Sequence, residues 1–373
     1  MGTEMSKLKV NKGKILLYRV YDIGEEIDLE KAQKIIEDET KRSKFKLKRK
    51  DLQSVNVSSD PLRIGLGIQD IKIENTEYRF DLNAKIWDFG TFSLTFEYQI
   101  PEGKSLPELS SIANILEDSE EIDDIARQKA REFTTKIKDA MVKTNEWNVY
   151  EDYLIFFIEK FDRQIDDMEK LLHEEDITGL ILTDNGEELS NQMREKILSS
   201  KLQYYKSDIA VIDWNSALIV EPQGSMDAPD VIEFALNQLL EMRYYDDLLD
   251  KKLNQIYSDS LRPNDTVFNS EYAELAKDAG QKYIEIAEIV ETVENSLKLI
   301  GDQYLSIVFR TASNKFRFKD WQNSIDNKLE NLADLSKLLS ENVNHKRSNL
   351  LEIIIIALIT IEVIPFVYGL ITK

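Results

Sequence analysis

Residues 227–261 read "DAPDVIEFALNQLLEMRYYDDLLDKKLNQIYSDSL", and the fold expected for the whole chain turns on this stretch. Asp227 stands at a helix N-cap, Pro229 in the first turn, and Asp230 near the positive end of the helix dipole. Ile232, Ala235, Leu239, Met242, Leu249, Leu253 and Ile256 then keep a 3,4 spacing that Asp246 interrupts. That pattern predicts a coiled-coil seam with one polar position, where Asp246 either sits on a solvated flank or fixes register. After "SLRPND" a second series runs Leu275, Ala279, Tyr283, Ile286, Val290, Val293, Leu297, Ile300, Tyr304 and Ile307. Its steps average about 3.5 residues, the period that keeps one seam facing a partner helix. A third series from Asp320 (Trp321, Ile325, Leu329, Leu332, Leu335, Leu339, Val343) leads into the apolar C-terminus. Two long helices folding back on each other are the expectation.

Upstream the pattern is mixed. "KILLYRVYDI" predicts a buried strand, and Asp28 a cap for the helix in "DLEKAQKIIEDETKR". "SVNVS", "LRIGLGIQDIKIE", "YRFDLNAKIWDF" and "TFSLTFEYQI" predict a twisted antiparallel sheet with a turn at Gly90. Ser105, Pro107 and Glu108 predict a capped helix start, and a second helix follows over about residues 120–142. "VYEDYLIFFIEKF" and "KSDIAVIDWNSALIVEP" return as strands around a polar helix near residues 187–198.

The end of the chain, "LLEIIIIALITIEVIPFVYGLITK", predicts a membrane span. Residues 350–370 include fourteen Leu, Ile, Val or Phe. At about 1.5 Å per residue they reach roughly 31 Å, close to the hydrocarbon core. Their transfer is worth roughly 4–8 kcal/mol against about 3 for a central carboxylate, so insertion wins despite Glu362. Leu351, Ile355, Leu358, Ile361, Glu362, Val363 and Phe366 are the anchor residues expected, with Glu362 protonated or hydrogen-bonded between subunits. His345, Lys346 and Arg347 before the span place the N-terminal body in the cytoplasm, as a single-pass protein of the cell membrane.

The formal charge of −21 opposes non-specific nucleic-acid binding. Zero Cys excludes a disulfide framework, a thiolate nucleophile and a Cys-type zinc site. With 42% hydrophobic and 31% charged residues, the chain has a core and much solvated helix surface. Residues 41–50, "KRSKFKLKRK", are the exception: seven of ten are Lys or Arg. Lys44, Lys46, Lys48 and Arg49 present a cationic face for RNA phosphates or anionic lipid, or protect an edge strand from pairing. His173 and His345 stand too far apart for a dyad or a metal pair. "GLG" at 65–67 lacks the third glycine of a phosphate loop, and "TDNGEE" lacks the spaced acids of a calcium loop. No catalytic residue, cofactor, metal or small-molecule substrate is expected.

"IDNKLENLADLSKLLSENVNHKRSNLLEIIIIALITIEVI" resembles the end of the family named for required for meiotic nuclear division protein 1, domain of unknown function 155. The matching residues are Asn344, Arg347, Leu351, Glu352, Ile359, Thr360, Ile361, Glu362 and Val363, and "LLEMRYYDDLLDKKLNQIY" resembles the family's preceding helix. The resemblance implies a membrane-associated homo-oligomer with no established enzymatic activity, whose mitochondrial relative supports translation by tethering or stabilising ribosomes. The expected architecture is an α+β domain over residues 1–222, an antiparallel coiled-coil helical hairpin over 227–347, and a transmembrane helix over 348–373. The expected function is a non-enzymatic, membrane-anchored oligomeric scaffold linked to translation. The competing expectation is a soluble homo-oligomeric RNA- or ribosome-binding module with a buried C-terminal helix.

Overall fold

A computed structural model describes residues 8–40, 46–47, 61–144, 149–175, 177–182, 189–260 and 302–371, with single positions between 277 and 287. The chain divides into two compact units. One is Met1–Tyr244 with Asn295–Lys319, and the other is Tyr245–Glu294 with Asp320–Lys373.

The first unit is built on a ten-stranded sheet. Its strands are β1 (Lys9–Asp22), β2 (Lys46–Leu47), β3 (Leu62–Ile73), β4 (Thr76–Ile86), β5 (Thr91–Gln99), β6 (Lys104–Ser105), β7 (Tyr150–Phe161), β8 (Lys201–Leu202), β9 (Ile209–Ile212) and β10 (Ser216–Val220). They lie in the order β2-β3-β4-β5-β1-β7-β10-β9-β8, and β6 pairs with β1. Every pair is antiparallel except β10 on β7. The expected hairpins in "LRIGLGIQDIKIE", "YRFDLNAKIWDF" and "TFSLTFEYQI" are β3, β4 and β5, and "SVNVS" lies outside the described residues.

Strand alternation gives the sheet two different faces. In β5, Phe92, Leu94 and Phe96 point into a large apolar core, each burial worth about 1.5–3 kcal/mol. Helices α1 (Leu29–Thr40), α2 (Leu106–Glu117) and α3 (Glu120–Lys136) bring residues into that core, as do the short α4 (Met168–Glu174), α5 (Ile177–Ile181) and α6 (Asn191–Leu198). Phe133 of α3 stacks on Phe92 at 5.4 Å. The start of α2 is a capping box: the Ser105 backbone N–H donates to Glu108 at 2.9 Å. That bond, with Lys104 and the Ser105 hydroxyl, holds the exposed Glu108 carboxyl down to about 2. Arg19 is buried beneath α3, donating to Asp123 at 2.6 Å and to the Glu117 carbonyl at 2.8 Å.

Thr91, Ser93 and Thr95 occupy the opposite face, beneath α7 (Asp227–Ser260). Between Val231 and Leu240 every residue of α7 is buried. Ile232, Ala235, Leu239 and Met242, expected as a seam, are therefore part of a core helix. A helix covered on all sides cannot present a single stripe to a partner, and this corrects the coiled coil. The fold is a mixed α/β structure around one large, mostly antiparallel sheet, which the α7 stretch completes. Gly90, in the turn between β4 and β5, has φ +102°, and a Cβ there would stand 1.7 Å from the Gly24 carbonyl oxygen. That oxygen and the left-handed φ together require glycine.

In the second unit Asp246 accepts from the Ser324 hydroxyl at 2.7 Å and pairs with Lys328 at 2.8 Å. Lys328 also meets Asp250 at 2.6 Å, so the polar position in the series holds an ion pair. The second helical series falls mostly outside the described residues; its end is α8 (Gln303–Lys315), in the first unit. Helix α9 (Phe318–Ile371) carries the third series and the apolar run. Among the described residues no helix is long and apolar enough to cross a membrane. This corrects the expected transmembrane helix and the single-pass placement in the cell membrane. Leu351, Ile355, Leu358 and Ile361 are exposed on α9, while the side chains of Glu362, Val363 and Phe366 lie outside the described residues.

Candidate functional site

Asp230, Glu233, Asn237 and Glu241 recur along α7 at steps of three and four, which puts carboxylates and an amide on one helix face. All four are buried. Buried polar groups need partners, and the sheet supplies them to Asp230, Glu233 and Asn237. The Ser93 hydroxyl donates to Glu233 Oε1 at 2.6 Å, and the Thr91 hydroxyl to Asn237 Oδ1 at 2.6 Å. Asn237 Nδ2 donates to the Glu233 carbonyl at 2.7 Å.

Lys85 of β4 reaches the same stripe. Its Nζ donates to Asp230 Oδ1 at 2.7 Å and to Glu233 Oε2, and Arg63 of β3 donates to Asp230 Oδ2 at 3.1 Å. Burial alone would push Lys85 down; Asp230 and Glu233 more than offset it, and the lysine is raised above its ordinary value. Burial would raise Asp230, but Lys85 and then Arg63 outweigh it and hold the carboxyl low. Two cations thus share two carboxylates away from water.

Beside this cluster lies a small cavity of about 130 Å³, lined by Tyr18, Asn83, Thr95, Glu97 and the charged groups just named. Glu97 accepts from Lys14 at 2.9 Å and from Asn83 at 2.9 Å. Tyr18 is 2% exposed, and its hydroxyl has no hydrogen-bond partner among the described residues. Burial, then Glu233, Asp230 and Glu97, raise its phenol well above the ordinary value, so it stays neutral.

Arg63, Met226 and Asp230 line this cavity and also a larger cleft of about 990 Å³. The cleft is walled by the loop after β10, the first turn of α7, the loop before β9 and the start of α8. Asp208, Glu221, Asp227, Asp230 and Asp302 line it, and Arg63 is the single cation among the described residues there. Asp208 accepts from the backbone N–H groups of Tyr204 and Tyr205, at 2.8 and 2.9 Å. Asp302 caps α8 by accepting from Leu305 at 2.9 Å, and Glu221 accepts from Gln223 at 2.9 Å. The ring of Tyr204 lies 4.6 Å from that of Tyr205 and 5.3 Å from that of Tyr304. Burial, then Asp208 and Glu221, push the Tyr304 phenol up.

None of these residues was expected from sequence as part of a site, although Asp230 was placed correctly in the first turn of α7. The available signal was Thr91, Ser93 and Thr95 on one face of β5, opposite polar α7 positions at helical spacing. The described part of the basic stretch is the two-residue β2, where Lys46 pairs with Gly65 and Leu47 with Ile64. The side chains of Lys44, Lys46, Lys48 and Arg49 lie outside the described residues, as do those of His173 and His345. Among the described residues no three acidic or histidine side chains meet as metal ligands would.

A family model described as "Uncharacterized protein MJ0711, N-terminal domain" matches residues 12–227. Tyr18, Arg63, Lys85, Tyr204, Asp208 and Glu221 fall within that stretch, while Asp230, Glu233 and Tyr304 lie beyond it. The uncharacterized protein MJ0711 of Methanocaldococcus jannaschii is 25% identical over 185 residues, 49% of this chain and 56% of that protein. The chain therefore spans little more than half the length of the curated relative it matches. No solved structure matches it. The match lies in the sheet unit and overturns the resemblance to the meiotic nuclear division family, which rested on Leu- and Ile-rich helical segments whose composition many unrelated helices share. The chain belongs to the family of the MJ0711 N-terminal domain.

Proposed function

We propose that this protein is a non-enzymatic, self-associating binding protein, in which the end of α9 joins copies of the chain. One observation carries the reading. Leu351, Ile353, Ile354, Ile355, Ile356, Leu358, Ile359 and Ile361 are each 45–68% exposed within eleven residues. At 100° per residue they surround the helix rather than forming one stripe. Exposed apolar surface of this extent marks an interaction site, and further copies of the same helix supply equally apolar partners. Lys85 supports the non-enzymatic part. Held protonated between Asp230 and Glu233, it has no lone pair for nucleophilic or base chemistry.

The test is the mass in solution, by light scattering, of the full chain and of a chain ending at residue 348. The full chain is expected as a multiple of the 43.3 kDa protomer and the shortened chain at the mass of one copy. Equal assembly states for the two would refute the reading.

A further inference from the structure

The inner cavity beside Lys85 and the outer cleft share Arg63, Met226 and Asp230, so they adjoin along a common wall. Their chemistry differs. Outside, Asp208, Glu221 and Asp302 accept hydrogen bonds from neutral backbone donors, which leaves their charge uncompensated by those bonds. The N-terminus of α7 opens here, but Asp227 and Asp230 occupy its first turn and oppose its attraction for anions. Arg63 and Lys85 are both committed to Asp230, and Lys85 to Glu233 as well. An entering anion would meet carboxylates first and cations that are already paired.

Tyrosine faces complement the carboxylates. The rings of Tyr204, Tyr205 and Tyr304 cluster on the cleft, and aromatic faces attract ammonium groups. Inside, the hydroxyls of Tyr18, a residue 2% exposed, and of Thr95 both line the cavity without hydrogen-bond partners among the described residues. Both hydroxyl oxygens keep lone pairs that a donor entering the cavity can use. An ammonium carries three donors and no acceptor, which fits two hydroxyl oxygens and the Glu97 carboxylate.

We propose that the two compartments form one binding site for an elongated organic cation, an aliphatic amine with two or more protonated nitrogens. One ammonium enters the inner cavity and donates to Tyr18 and Thr95, while the chain and the second ammonium lie in the cleft against the tyrosine rings and the outer carboxylates. The site rests on groups of the first unit alone, and its binding is measurable whatever the assembly state of the chain.

The experiment is isothermal titration of the full chain at low salt with three probes: the linear triamine spermidine, 1,8-octanediol as an uncharged molecule of similar length, and inorganic phosphate. Spermidine is expected to bind saturably, and the other two not at all at millimolar concentrations. Tyr18→Phe removes one oxygen from an otherwise unchanged ring and is expected to weaken spermidine about tenfold, the loss of one charge-assisted hydrogen bond. Tyr204→Leu, at a side chain 61% exposed and so without risk to folding, is expected to weaken it severalfold. No heat with spermidine, preferential binding of phosphate or the diol, or wild-type affinity in either variant would overturn the proposal.

Discussion

Replacing Lys85 by methionine keeps the aliphatic stem and deletes the charge from the buried cluster beneath α7. The lysine side chain is 12% exposed, Asp230 10% and Glu233 1%. Removing it leaves Glu233 with the Ser93 hydroxyl and Asp230 with Arg63. Breaking a buried ion pair from one side costs about 3–5 kcal/mol, against total stabilities of about 5–15 kcal/mol. Its pH dependence separates this from a simple packing defect. Lys85 is the largest influence holding the Asp230 carboxyl low, so its removal raises that carboxyl. A carboxyl held low when folded stabilises above its unfolded value, near about 3.9, and loses that contribution as the pH falls. The gap between wild type and variant is therefore widest at neutral pH and narrows below about pH 4. Urea denaturation at both pH values measures it, and adding Asp230→Asn to the variant should recover part of the loss. A cost under about 1 kcal/mol, or a gap constant with pH, would refute the argument that electrostatics holds this cluster together.

Two further outcomes follow from other sites. Glu151 donates no charge to solvent: it is buried, and burial outweighs the Arg243 pair to push its carboxyl up to about 7. Its contribution is complete below about pH 4.5 and lost as the pH rises through 7, so Glu151→Gln should gain about 3 kcal/mol on wild type between those limits, read from thermal melts across pH. Gly90→Ala sets a Cβ against the Gly24 carbonyl at a left-handed φ and should cost at least about 3 kcal/mol by urea denaturation; a near-neutral result would mean the turn can move freely.

Local chemistry was the legible part of this fold. Ser105, Pro107 and Glu108 announce the start of α2, and Asp28, whose carboxylate accepts from the Lys31 N–H at 3.0 Å, that of α1. The strands with apolar runs are where the residues put them. What the residues near Asp227 could not say was what covers the helix they begin. Ile232, Ala235, Leu239 and Met242 keep a coiled-coil spacing, and the same spacing serves a helix buried on every side. The site was illegible for a related reason: its pairs, Thr91 with Asn237 and Lys85 with Glu233, join positions about 150 residues apart. No periodicity along the chain records such a match.

The order of the strands also sets a schedule. The fourteen-residue β1 is made first, yet the partners along its two edges are β5 and β7. On a ribosome adding about 5–20 residues per second, the roughly 140 residues from Asp22 to Phe161 take about 7–28 s to appear. During that interval the strand destined for the middle of the sheet is an open apolar edge, the kind of segment that pairs with whatever is nearest. Of the strands in this sheet, β1 is thus the one whose edge a nascent-chain chaperone would have to hold longest.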